Sequence, residues 1–258
     1  MTNRIGTIAF NTFREAVRDR VLYNLIVFAL LMIGASLLLG QITIGVQRQL
    51  LINLGLTAIS IFGVLIAIFI GIGLVSKEID KRTLYTVLTR PVQRWEFIVG
   101  KFFGLVGTLT VNAGLMTIGF FAALLYLMHG LQRSDASVLA AVYFILLQFM
   151  MVTAIALLLS SFSTPIESAV LTFAIFVVGS FSEDLRGFAE AAKGSAHYIG
   201  MAISYLIPNF SALNYIAFVA HGNPVPGDII LLNTAYGVLY AGAAVCAAAI
   251  IFQNRNMK

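Results

Sequence analysis

The sequence predicts an all-α, polytopic membrane protein: six transmembrane helices, an N-terminal interfacial helix, and a charged cytoplasmic helix between spans two and three. Three observations predict it. Of the 258 residues, 60% are apolar and only 10% are charged. The mean hydropathy is +0.95, which belongs to membrane proteins and not to soluble domains of this length. The apolar residues also form uninterrupted runs, several of them as long as the roughly 20 residues that a bilayer span requires. The 16 Lys and Arg residues crowd into the stretches between those runs.

The first element covers residues 1–20. Ile5, Ala9, Phe13, Ala16, Val17 and Val21 recur on one helical face, while Arg4, Asn11, Arg14, Glu15, Arg18 and Asp19 occupy the other. A helix with one apolar and one basic face suits the cytoplasmic interface; a soluble helix packed on a partner has the same pattern. Spans are expected at about 21–40, 54–76, 102–128, 138–160, 164–182 and 229–252, all within one domain over 1–258. The fifth begins at Thr164-Pro165-Ile166-Glu167. Thr164 fits an N-cap, Pro165 the first helical position and Glu167 the acidic third position of a capping box. Glu167 therefore reads as a helix cap, with ion or proton handling as the alternative.

Residues 183–227 form the largest external element. Glu183, Asp184, Arg186, Glu190 and Lys193 suggest a short water-exposed helix, after which Tyr198 to Ile207 is apolar and stops at Pro208-Asn209. About ten apolar residues cannot cross hydrocarbon, so this stretch is either a re-entrant or an interfacial helix.

Orientation follows from charge, because short loops rich in Lys and Arg stay cytoplasmic. Arg4, Arg14, Arg18 and Arg20, then Lys77, Lys81, Arg82, Arg90, Arg94 and Lys101, then Arg255 and Lys258 fall on one side of a six-span arrangement. Arg48, Arg133, Arg186 and Lys193 fall on the other. Both termini are therefore expected in the cytoplasm. The net charge of +5 follows this topology and needs no nucleic-acid partner. Cys246, the lone cysteine, is expected as a small buried residue of the last span. Gly34-Ala35-Ser36 matches a signal-peptidase site poorly, so no cleavage is expected.

Catalytic signatures are missing. A phosphate-binding loop needs G-x-x-x-x-G-K-[ST], whereas Gly100-Lys101 is preceded at the first glycine position by Trp95 and followed by Phe102. This excludes such an ATP site, and the zinc-protease and nucleophile-elbow patterns are absent as well. His129, His197 and His221 have no recognised ligand spacing and read as loop histidines, so no metal and no cofactor are expected.

Polar residues inside the spans carry more information. Asn53, Thr57 and Ser60 lie near one face of the second span, Thr108 and Asn112 one turn apart in the third, Gln148 in the fourth, and Asn233, Thr234, Tyr236 and Tyr240 in the sixth. Asn53, Thr57, Asn112, Gln148, Asn233 and Tyr236 are candidates for a translocation path. Interhelical hydrogen bonding, at about 1 kcal/mol each, is the plainer account of the same residues. Gly100, Gly104 and Gly107, and Gly237, Ala241, Ala244 and Ala248, form small-residue faces for close helix contact.

The loop expected at 77–101 has a specific order. Leu84, Val87 and Leu88 make an apolar helical face beside Asp80, Lys81 and Arg82. Thr89-Arg90-Pro91 breaks that helix, and a second amphipathic stretch leads into Gly100-Lys101. A charged helix with an apolar stripe docks on a partner or anchors on the membrane surface.

The pattern E-x-x-x-x-T-L-x-x-x-L-x-x-P-V-x-R-x-x-x-x-x-G-K is filled by Glu78, Thr83, Leu84, Leu88, Pro91, Val92, Arg94, Gly100 and Lys101. It resembles the loop between spans two and three of the type-two ATP-binding-cassette exporter permeases. The likeness extends to the N-terminal helix, the six spans, the long external connection and the Leu206-Ile207-Pro208-Asn209-Phe210 stretch. One departure is Arg82, where many members carry Gly. The resemblance implies a non-enzymatic permease subunit in the plasma (inner) membrane, paired with a second copy or a similar permease. It also implies a separate ATP-binding-cassette ATPase that holds ATP and Mg. In that arrangement the loop is a coupling helix seated in the ATPase, with Glu78, Thr83, Leu84, Val87, Leu88, Pro91 and Arg94 as partner-coupling residues. An ATP-independent transporter or channel, or a structural membrane assembly protein, is the alternative. The first would normally carry a midplane charge, and no span does.

Overall fold

The computed structural model describes residues 2–42, 46–80, 93–128, 130 and 136–254, and every regular element among them is helical. Helices α1 (Thr2–Val17), α2 (Arg20–Ile42), α3 (Gln47–Asp80) and α4 (Arg94–Met128) precede α5 (Ala136–Ser160) and α6 (Pro165–Ser180). Then come α7 (Ser182–Ala191), α8 (Ser195–Leu206), a 3-10 turn (Ser211–Leu213), α9 (Ile216–Ala220) and α10 (Gly227–Asn254).

The long helices form because Leu, Ile, Ala, Phe and Met follow one another without an internal proline. At the junction of α5 and α6 the Thr164 hydroxyl and the Glu167 carboxylate offer the backbone other partners, and Pro165 has no N–H to continue the preceding helix. Between α5 and α6, the Ser163 backbone N–H still donates to Leu159 O at 3.0 Å. The Thr164 backbone N–H then donates to Glu167 Oε2 at 3.1 Å, and the Glu167 N–H donates to Thr164 Oγ1 at 3.5 Å. The expected capping box is therefore present, with Pro165 in the first turn.

Helix α5 is the axis of the bundle. Sixteen of its residues are buried, and α3, α4, α6, α9 and α10 pack around it. A helix that is apolar all round has no preferred face, and protein neighbours or lipid satisfy it equally. Its Thr153 and Ser160 hydroxyls donate to their own helix at Phe149 O and Leu157 O, and Ser161 Oγ, just past its end, also donates to Leu157 O.

Six spans were expected; four helices among the described residues are long and apolar enough to cross a membrane, within Gln47–Gly73, Trp95–Leu127, Ala136–Ser160 and Gly227–Gln253. A fifth is counted if α6 and α7, bent by 60° at their junction, form one span. The physical reason is length. The 16 residues of α6 extend only about 24 Å, short of the roughly 30 Å hydrocarbon core. The loop expected at 77–101 is also narrower at both ends, since α3 continues to Asp80 and α4 already starts at Arg94.

Cys246 corrects a second expectation, because it is exposed. On α10, Leu239, Ala243, Cys246 and Ile250 share the outward stripe, while Gly237, Ala241, Ala244 and Ala248 face inward. A methyl group on Gly237 would stand 3.7 Å from Leu147 Cβ of α5, so this small-residue face does serve close packing.

Candidate functional site

Two regions concentrate polar chemistry. The first is the end of the bundle where α3 stops and α4 starts. Thr83, Leu84, Val87, Leu88 and Pro91 lie outside the described residues, whereas Glu78 and Arg94 belong to the helical backbone on either side. The α4 start is held from its own sequence: the Gln93 backbone N–H donates to Glu96 Oε2 at 3.0 Å, and Trp95 Nε1 donates to Gln93 Oε1. Glu96 and Lys101 are each 1% exposed. The Lys101 ammonium stands 5.2 Å from the centre of the Phe97 ring, an electrostatically favourable position for a cation. Phe97 in turn stacks on Phe252 of α10 at 5.9 Å.

Helix α1 closes this end. The Gly100 and Gly104 face does accept a helix, and that helix is α1. A methyl group on Gly104 would lie 2.5 Å from Ala9 O and 2.6 Å from Thr12 Cβ, and one on Gly100 would lie 2.7 Å from Ile8 Cβ. The backbones meet this closely only because both positions lack a side chain. Consequently α1 and the last turn of α10 both pack on the first turns of α4, α1 through Gly100 and Gly104 and α10 through Phe97 and Phe252.

The second region is a polar chamber of about 210 Å³ toward the other end. Asn53, Thr57 and Ser60 of α3, Gln148 of α5, Ser180 of α6 and Asn214 line it. Ser60 Oγ donates to Gln148 Oε1 at 3.2 Å, and both residues are 7% exposed. Among the described residues the side chains of Asn53 and Thr57 and the Gln148 Nε2 have no protein partner. They are therefore left to bond whatever polar matter occupies the chamber. No Asp, Glu, Lys or Arg lines it.

The chamber has a roof formed by the connection between α8 and α10. Phe210, Leu213, Ile216, Val219 and Ala220 are buried. Phe210 packs on Phe176, and Tyr215 stacks on Phe144 at 4.7 Å. The Phe210 N–H donates to Gly179 O at 3.0 Å, and Gly179 also faces Pro208 O so closely that a side chain would collide with it. Asn209 is the knot. Its N–H donates to Tyr236 Oη at 2.8 Å, while its Oδ1 accepts from Ser182 Oγ at 2.6 Å and from the Ala212 N–H at 2.9 Å. Asn233 Nδ2 adds a bond to Ala212 O at 2.7 Å. At the far side Gln49 and His221 side chains meet at 2.7 Å. Such bonds supply the partners that irregular backbone requires within a membrane bundle.

The six residues singled out in the sequence thus divide into three groups. Asn53, Thr57 and Gln148 line one chamber, Asn233 and Tyr236 hold its roof, and Asn112 lies outside it on α4, 4% exposed with its Nδ2 unpaired. Ser180, Ser182, Asn209 and Asn214 were missed. The one local signal was Pro208-Asn209, since asparagine after a chain break commonly folds its side chain onto nearby backbone N–H groups. A separate groove of about 600 Å³ between α3 and α6 is lined by Leu65, Phe69, Ile72, Ile166, Val170 and Phe173 among others, all apolar. Among the described residues no three His, Cys, Asp or Glu side chains converge as a metal site would need.

No curated protein matches the chain. A family model does, the one described as ABC-2 family transporter protein, and it matches residues 7–256. With nearly the whole length covered, and with helices suited to crossing a membrane, the chain belongs to the ABC-2 transporter family as a multi-pass membrane permease.

Proposed function

We propose that the chain is the membrane subunit of an ATP-driven exporter, coupled through the loop at 77–101 to a separate ATPase that carries ATP and Mg. The observation that carries this reading is the family match over 7–256 together with the motif from Glu78 to Lys101, which spans the junction between α3 and α4. In the proposed topology α2, α3, α4, α5, the stretch 164–182 that contains α6, and α10 are the six spans, and both termini are cytoplasmic in the plasma (inner) membrane. A second copy or a similar permease completes the path. Glu78, Thr83, Leu84, Val87, Leu88, Pro91 and Arg94 contact the ATPase, and Asn53, Thr57 and Gln148 form part of the path, with Asn112, Asn233 and Tyr236 as further candidates.

Coupling requires that the loop bind two ATPase states differently, because only differential contact shifts a conformational equilibrium. The packing of α1 and α10 on the first turns of α4 supports this reading, because a displacement of α4 by the loop would press on both of them. The test is extraction of the tagged chain in mild detergent. An ATPase retained at one copy per permease, with hydrolysis that responds to candidate substrates, is the expected result. A chain that emerges without any ATPase, and whose transport is indifferent to ATP, refutes it.

A further inference from the structure

Apart from Ser182, whose hydroxyl bonds Asn209 at the start of α7, helices α7 and α8 take part in neither the chamber nor the end where α3 stops and α4 starts, and they are two-sided. The seam between them is tight: a methyl group on Gly200 would lie 2.7 Å from Ala189 Cβ. His197 Nδ1 is 2.8 Å from Ala189 O, and the Arg186 guanidinium stands 5.6 Å over the Tyr205 ring. The charges lie on α7 and in the connection after it: Glu183, Asp184, Arg186 and Glu190 of α7 and Lys193 beyond it are exposed, and Arg186 bonds Glu190 at 3.2 Å. Helix α8 contains no Asp, Glu, Lys or Arg. Tyr198, Ile199, Ile203 and Tyr205 of α8 are nevertheless 75%, 60%, 47% and 70% exposed. Their spacing places them along one side of the helix.

We propose that α8 lies in the membrane interface at the end of the bundle opposite the end of α3 and the start of α4, with this face among the lipids and α7 above it in water. The occupant follows from continuity and composition. Exposed apolar residues run along α6 through Val170, Phe173 and Val178 to Phe181, and there the chain turns by 60° into α7. The lipid-facing surface of the bundle therefore continues directly to the hairpin. Two tyrosines on an otherwise aliphatic face match the boundary between hydrocarbon and headgroups. The 12 residues of α8 extend about 18 Å, too short to cross, so the helix lies in the plane with its apolar side about 5–10 Å into the boundary. This inference needs the bundle in a bilayer but not the ATPase, so its failure would leave the exporter reading intact.

The test places a fluorescent probe on each helix of the full chain, reconstituted in phosphatidylcholine vesicles after Trp95→Phe removes the single native tryptophan. Tyr198→Trp is expected to emit at short wavelength and to lose about half its emission when the acyl chains are brominated near the headgroup, as a depth of about 5–10 Å requires. Aqueous iodide should quench it little, and a Glu190→Trp probe on α7 should show the reverse pattern. Quenching of Tyr198→Trp by iodide and not by brominated lipid would overturn the proposal and make the face a docking surface for a soluble partner. Quenching by neither would overturn it too, placing a second protein or a second copy on the face. A nitroxide attached to Ile203→Cys in a Cys246→Ala background gives an independent reading. Collisions with oxygen exceeding those with a water-soluble nickel chelate are expected, and the opposite ratio refutes the placement.

Discussion

A single methyl group on Gly104 probes whether α1 is locked to α4. In Gly104→Ala the new carbon would start 2.5 Å from Ala9 O and 2.6 Å from Thr12 Cβ, and Thr12 is 3% exposed. Neither neighbour is the far end of a flexible side chain, so α1 as a whole must retreat by about 1 Å to reach ordinary contact distance. Overpacking of this kind costs about 1–3 kcal/mol, against a gain of about 1 kcal/mol in helix propensity. Gly114→Ala is the matched control, because nothing stands within 4 Å of a methyl group there. The same propensity gain applies to both, so their difference isolates the α1 contact at about 1–3 kcal/mol. Hydrogen exchange of the α1 amides in vesicles should accordingly run roughly 5- to 150-fold faster in Gly104→Ala than in Gly114→Ala, with equal helix content by circular dichroism. Equal exchange in the two variants would refute the close seating of α1.

Other perturbations separate the regions. Replacing Leu84 and Leu88 together by Asp should strip the ATPase from the membrane or leave it uncoupled, since burying charge in an apolar contact costs several kcal/mol; Asp at Tyr85 and Thr86 should be milder, and normal transport by the Leu84 and Leu88 variant would reduce the loop to a surface anchor. Cysteines at residues 3, 93 and 257 in a Cys246→Ala background should resist an impermeant thiol reagent in intact cells, while those at 132 and 194 should react; labelling at 93 from outside would invert the topology. Tyr236→Phe removes the partner of the Asn209 N–H, a loss of about 1 kcal/mol. A cysteine in place of Thr57 should then be modified roughly fivefold faster, and an unchanged rate would show that the bond does not hold the roof.

What could be read from the sequence followed from locality. The Thr164 and Glu167 capping box is written within four residues, and the structure has it. The existence of apolar helices follows from runs of residues whose backbone groups must bond within their own segment once in lipid. The central place of α5 had no such signature, because a helix that is apolar on every side does not say what surrounds it. Cys246 was misplaced for the same reason: a small residue suits either side of a span. The amphipathic pattern of α1 marked its apolar face without naming Gly100 and Gly104 as its seat. The chamber depends on partners far apart in the chain, Ser60 with Gln148 and Asn209 with Tyr236, and only tertiary packing joins them.

Helix α3 connects the two regions. It carries Asn53, Thr57 and Ser60 along the chamber and ends at Asp80 beside the proposed coupling segment, with no proline between. The twenty residues from Ser60 to Asp80 extend about 30 Å, so a rigid tilt of about 10° pivoting at Ser60 would carry the loop end through about 5 Å by that geometry. Such a tilt cannot leave the chamber unchanged. Ser60 is bonded to the enclosed Gln148, while Asn53 and Thr57 lie on the opposite side of the pivot from the loop. On the proposed reading, ATPase closure would therefore reach the polar lining through one continuous helix, and the roof held by Asn209 and Tyr236 would be the part that resists. That division of labour explains why the hydrogen bonds gather at the roof. A lining that must exchange partners during transport gains nothing from permanent protein bonds, whereas a closed end needs every backbone group in it bonded.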